Sequence, residues 1–170
     1  RDCAPSFLDA ADPEDRLIVA NTFSKAWQMT GWRLGWLVLP PALVPDVEKL
    51  IEFNTSCAPG FVQRAGLAAI ACGDEPIRRF AALVESGALA LTAALDAIPG
   101  VEVIRPDGAM YLLLAVAGHD DSLALAHRLV DEAGLGIAPG IAFGDDCARD
   151  LRWCTARSAD QLLAGADRLR

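Results

Sequence analysis

The chain has 170 residues, 53 % of them hydrophobic, enough for one domain, or one domain with a smaller appendage, and for a sizeable buried core. Its formal charge is 15 minus 23, or −8, which argues against nucleic acid or an anionic membrane as a partner, because both demand a basic face. Five cysteines (Cys3, Cys57, Cys72, Cys147, Cys154) lie far apart, with no CxxC and only His119 and His127 to join them, so free buried thiols in a reducing cytoplasm are expected and no metal site is.

Residues 1–15 are polar and proline-containing and read as loop. They open "RDCAPSF" without a methionine, so this is not expected to be the natural start of a protein, and no leader peptide is expected. "RLIVANTF" is a continuous apolar, β-branched run and predicts a buried strand at 17–23. "LGWLVLP" predicts a second strand at 34–40, stopped by Pro40 and Pro41. The longer stretch "LGWLVLPPALV" is too short to cross a membrane and carries two prolines. Leu43, Val47, Leu50 and Ile51 have helical spacing, with Pro45 tolerable in the first turn. "FVQRAGLAAIACG" predicts an Ala-rich helix ending at Gly73, and residues 75–98 a long amphipathic helix with Ile77, Phe80, Leu83, Val84 and Leu91 on one side.

Beyond Pro99 and Gly100 the pattern changes. "VEVIR" and "MYLLLAV" predict strands around a turn at Pro106-Asp107-Gly108. "SLALAHRLVDEAG" predicts a helix with Ser122 as N-cap and Gly134 as its stop. "GIAPGIAFGDD" reads as a loop with a short strand, "DLRWCTA" as a strand, and Ser158 as the opening of a last helix. The order is α/β: the end of a sheet domain over 1–74, then a small α/β domain over 75–170.

The chain has thirteen arginines but only two lysines, and one of them, Lys25, follows the first predicted strand. Ligands in α/β proteins gather at the C-terminal ends of strands. A lysine whose charged form is disfavoured there is a nucleophile toward carbonyls. Thr22 and Ser24 add hydroxyls, Gly31 gives freedom for a tight turn, and Arg33, eight residues after Lys25, opens the return strand. Hydroxyls with an arginine fork suit a phosphate. Carbonyl chemistry beside a phosphate clamp describes pyridoxal 5′-phosphate. Read singly, Lys25 is equally a surface lysine in a turn, and Arg33 a strand-edge residue paired with a carboxylate.

"NTFSKAWQMTGWRLGW", residues 21–36, closely resembles the lysine segment of fold-type I, class I/II pyridoxal-phosphate aminotransferases, in which hydroxyl-x-Ser-Lys precedes Thr-Gly-Trp-Arg-hydrophobic-Gly. "RPDGAMYLLLAV" is similar to that family's Pro-x-Gly-Ala-aromatic-Tyr segment, with Met110 where an aromatic is usual. "PGIAFGDDCARDLRWCTA" is similar to its PG-x-x-FG loop and the arginine-bearing strand that follows. The resemblance implies an α/β chain that is the C-terminal portion of such an enzyme: the end of the large domain's mixed sheet, then the small domain. Lys25 would hold the cofactor as a Schiff base, and Thr22, Ser24 and Arg33 would bind its phosphate. Arg152 would grip the α-carboxylate of the amino acid and 2-oxo acid substrates. The family's N-terminal half, with its phosphate loop, ring-stacking aromatic and pyridine-binding Asp, has no counterpart in these residues. The implied partners are that half and a second subunit in a homodimer, in the cytoplasm.

Three other readings stand beside this one. A lyase or synthase of the same fold would share the lysine, though Thr-Gly-Trp-Arg leans toward transaminases. A transcription regulator with an aminotransferase-like sensor domain would more often carry Pro-Gly-x-Arg in this loop. The last is a fragment that binds nothing. Bottom-up, Arg152 alternates with Leu151 and Trp153 on its strand and points away from both.

Overall fold

The computed structural model describes residues 4–170. It divides into two compact units, residues 1–77 and 78–170, with one long helix running across the division. Cys3, expected as a buried thiol, lies outside the described residues.

In the first unit, Ser6 caps a 3-10 turn at Phe7–Asp9 through a reciprocal pair of bonds with Asp9. Strands β1 (Val19–Thr22) and β2 (Gly35–Val38) form an antiparallel pair in the register Val19↔Val38 to Thr22↔Gly35. Helices α1 (Val44–Thr55) and α2 (Gly60–Ala71) follow. Pro45 sits in the first turn of α1, where its missing N–H has no partner to lose. Among the described residues of this unit, Phe23, Met29 and Val62 are buried. The strand at 17–23 is therefore shorter than expected, and it is not buried: its residues alternate between half-buried and exposed. Every residue of β2 is exposed, and α1 buries none of its apolar stripe. An apolar run marks a surface suited to being covered, and a two-stranded pair offers little to cover it.

In the second unit, β3 (Val101–Ile104), β4 (Tyr111–Val116), β5 (Ala138–Pro139) and β6 (Asp150–Cys154) form an antiparallel sheet in the order β3-β4-β6-β5. Helices α3 (Glu75–Asp96), α4 (Ser122–Ala133) and α5 (Ala159–Leu169) complete it. The period-2 alternation of the strands sends Leu112, Leu114, Leu151 and Trp153 to one face, where they join Leu91 and Leu95 of α3, Leu125 and Leu129 of α4, and Leu162 of α5 in one core. Leu83 departs from the predicted stripe: it is exposed, while its neighbour Val84 is buried.

Two local expectations change here. The N-cap of α4 is Asp121, whose carboxylate accepts from the N–H groups of Leu123 and Ala124. Ser122 is instead the first helical residue and is fully buried. Gly134 ends α4 at φ 60°, and Ser158 caps α5, both as expected. Among the described residues no thiol is buried: Cys57 and Cys72 are exposed, and Cys147 and Cys154 half-buried. No described helix is long and apolar enough to cross a membrane.

Candidate functional site

The β1–β2 ladder carries the first group of residues. It ends at Thr22↔Gly35, and the chain between turns through Ser24 to Trp27. At that end the Phe23 N–H donates to the Leu34 carbonyl at 3.0 Å, and the Thr22 hydroxyl reaches the same carbonyl at 3.4 Å. These bonds hold Leu34, the residue after Arg33, against the end of β1. The Thr22 hydroxyl also accepts from the Ser24 N–H at 3.0 Å and lies 2.9 Å from the Ser24 hydroxyl. The two side chains thus brace the turn that carries Lys25. Gly35 is required by close approach: a Cβ there would strike the Asn21 carbonyl oxygen.

Lys25 is exposed and has no ion-pair partner among the described residues. Its turn is anchored from beneath. Phe23 and Met29 are buried, and the Met29 N–H donates to the Phe23 carbonyl. The Phe23, Trp27 and Trp36 rings pack with centroids 4.8 to 6.4 Å apart. The Trp27 indole N–H donates to the Ala69 carbonyl on α2 at 3.1 Å.

The tight turning expected of Gly31 falls to other residues. Gln28 and Arg33 hold the left-handed conformation, at φ 55° and 52°, which costs a side-chain-bearing residue about 1 kcal/mol or more. Arg33 ends a 3-10 turn at Thr30–Trp32, two residues before the return strand it was expected to open. Its guanidinium donates to the Thr30 carbonyl at 2.8 Å, and no hydrogen bond joins it to Thr22 or Ser24. The β1–β2 hairpin thus carries one amine, two hydroxyls and one guanidinium within residues 22–33. That donor set fits a ligand with both an aldehyde and a phosphate.

Arg152 belongs to the second unit, in register with Leu113 of β4 and Ala138 of β5. It lies on the face away from the core and is half-buried, as its alternation with Leu151 and Trp153 predicts. Its guanidinium carbon sits over two rings, 4.3 Å from the centroid of Tyr111 and 3.8 Å from that of Phe143. Its Nε is buried and has no hydrogen-bond partner. Sequence reasoning assigned no role to Tyr111 or Phe143. The apolar alternation of β4 marks Tyr111 as sharing Arg152's face, but nothing in the sequence places Phe143 there.

The chain belongs to the family Aminotransferase class I and II, which it matches over residues 3–169. Members of that family are pyridoxal-phosphate-dependent enzymes of fold type I. The chain is 31 % identical over 168 residues to the aspartate aminotransferase of Musicola paradisiaca, covering 96 % of this chain and 42 % of that enzyme. It is 31 % identical to the LL-diaminopimelate aminotransferase of Aquifex aeolicus, covering 98 % of this chain and 43 % of the other. Among solved structures, the aspartate aminotransferase of Thermotoga maritima superposes with a TM-score of 0.81 at 30 % identity, covering 97 % of this chain and 42 % of that one. The chain therefore spans less than half the length of the relatives it matches.

Proposed function

We propose that these residues are the C-terminal part of a pyridoxal-phosphate-dependent aminotransferase that moves an amino group between an amino acid and a 2-oxo acid. One observation carries the reading: in a chain of this family, the β1–β2 hairpin carries Thr22, Ser24, Lys25 and Arg33 in and beside its connecting segment. Residues 1–74 then correspond to the end of the large, cofactor-binding domain and 75–170 to the small domain. The remaining partners are the N-terminal half of the protein and a second subunit of a homodimer, in the cytoplasm.

When bound, pyridoxal phosphate supplies an aldehyde that receives the amino group and a ring that draws electrons from the carbon beside it. Thr22, Ser24 and Arg33 would hold the phosphate, the two hydroxyls donating neutral hydrogen bonds and the guanidinium a charge-assisted one. Lys25 would hold the cofactor through Nζ and would be the base that takes the proton from the substrate's α-carbon. Arg152 would orient the substrate's α-carboxylate.

The experiment is a transamination assay of the complete enzyme with pyridoxal phosphate, a panel of amino acids and 2-oxoglutarate or pyruvate as acceptor. Formation of the donor's 2-oxo acid, abolished in Lys25→Ala, is the expected result. Elimination or condensation products without amino transfer would point to a lyase or synthase of the same fold. The aspartate and diaminopimelate names of the relatives span different side chains, so the panel includes acidic, basic and aromatic donors.

A further inference from the structure

We propose that Tyr111 and Phe143 are positioning residues for Arg152: their rings hold its guanidinium so that its terminal N–H groups meet a planar carboxylate. This deepens the reading of Arg152 as the carboxylate anchor and rests on it. A guanidinium is a flat cation that stacks on aromatic faces while donating hydrogen bonds in its own plane. Here its carbon lies over two rings, 4.3 Å and 3.8 Å from their centroids, within cation–π range of both. Nε is buried without a partner, so the donors open to a ligand are the two terminal nitrogens. Neither donates to any group among the described residues.

Among the described residues no carboxylate pairs with Arg152. The nearest acid along the strand is Asp150, on the same face, and its carboxylate lies 3.9 Å from Nε of Arg149 instead. Arg149 in turn pairs with Glu102 at 3.2 Å. The ring contacts are themselves held in place. Tyr111 opens β4 and is fixed by its register opposite Cys154. Phe143 closes the 3-10 turn Gly140–Phe143, which is fastened at two points. The buried Ser122 hydroxyl accepts from the Ile141 N–H at 3.2 Å. Gly140 lies so close to the Cys147 and Asp150 carbonyls that no side chain would fit. The contact between Phe143 and Arg152 is thus set by buried backbone as well as by side-chain preference.

The test measures carboxylate affinity and catalysis in the complete enzyme. Unreactive carboxylates (propionate, succinate and 3-phenylpropionate) are titrated by calorimetry, and KM and kcat are measured with the best donor. Phe143→Leu and Tyr111→Leu should each weaken carboxylate binding roughly 2- to 30-fold, the range for loss of one cation–π contact. KM should rise by a similar factor, kcat should change little, and cofactor retention should hold. Restoring a ring, as Phe143→Tyr or Tyr111→Phe, should recover the affinity lost in the Leu variants. Should Tyr111→Leu fail to fold, Phe143→Leu decides alone, since Phe143 is 48 % exposed and its truncation leaves the core intact. Leu variants that bind the carboxylates like the unaltered enzyme, while Arg152→Ala does not, would overturn the positioning role and leave the reading of Arg152 standing. An Arg152→Ala enzyme with unchanged carboxylate affinity would overturn both.

Discussion

Arg33 and Arg152 are both arginines half-engaged with their own surroundings, and their replacement should produce different failures. Arg33→Ala removes a charge-assisted bond to phosphate, worth about 1.5–3 kcal/mol, so cofactor should dissociate roughly 10- to 150-fold more readily. Arg152→Ala should retain cofactor and raise KM for amino acids. Equilibrium dialysis of the cofactor alongside steady-state kinetics separates the two, and equal cofactor loss in both variants would contradict the division of roles. At this scale the sequence was legible where a residue type carries its own chemistry: a rare lysine beside hydroxyls, with an arginine at fixed spacing. It was silent where conformation decides. Gly31 drew the expectation of a tight turn, yet Gln28 and Arg33 take the left-handed conformation, which neither residue type advertises.

Among elements, the β1–β2 hairpin is the one whose geometry the candidate site depends on. Gly35→Ala forces a Cβ against the Asn21 carbonyl, and backbone cannot yield as a side chain tip can. A loss of roughly 1–3 kcal/mol in stability is expected, with weaker cofactor retention because Thr22 lies opposite in the ladder. In α4, Asp121→Ala should cost about 0.5–2 kcal/mol as a lost cap. Ser122→Ala should cost about 1–3 kcal/mol by leaving the Ile141 N–H unpaired, and, unlike Asp121→Ala, it should also raise KM through Phe143. Denaturant midpoints and KM values check both. The element order was legible because apolar period, glycine stops and proline breaks are local signals. The cap of α4 was misassigned to Ser122 because two adjacent residues, Asp121 and Ser122, are both good caps. Only the folded turn at 140–143 shows that the Ser122 hydroxyl is engaged elsewhere.

Across the whole molecule, burial is uneven. The continuous core lies entirely within residues 91–166. The first unit leaves Phe53 90 %, Phe61 72 % and Leu50 68 % exposed. Covering a side chain of this kind contributes about 1.5–3 kcal/mol, so several uncovered ones are a large fraction of a typical ~5–15 kcal/mol stability. In hydrogen exchange of the 170-residue chain alone, the amides of β4 and β6 should be strongly protected and those of β1 and β2 weakly so. This chain alone should not catalyse transamination. Adding the N-terminal half should slow exchange in β1 and β2, and uniform protection without it would contradict this expectation. The apolar runs at 17–23 and 34–40 were legible as surfaces to be covered. What covers them is not written in those runs, which is why burial was overestimated there.

The most direct measurement is to load the complete enzyme with pyridoxal phosphate, treat it with borohydride, and map the modified peptide by mass spectrometry. The cofactor is expected on the peptide containing Lys25, with no labelling in Lys25→Ala. The chain's other lysine is an internal control: Lys49 lies on α1 with its side chain 71 % exposed, 3.6 Å from Asp46, and should stay unmodified. Stable cofactor attachment at Lys49, or attachment that survives Lys25→Ala, would contradict the assignment of Lys25.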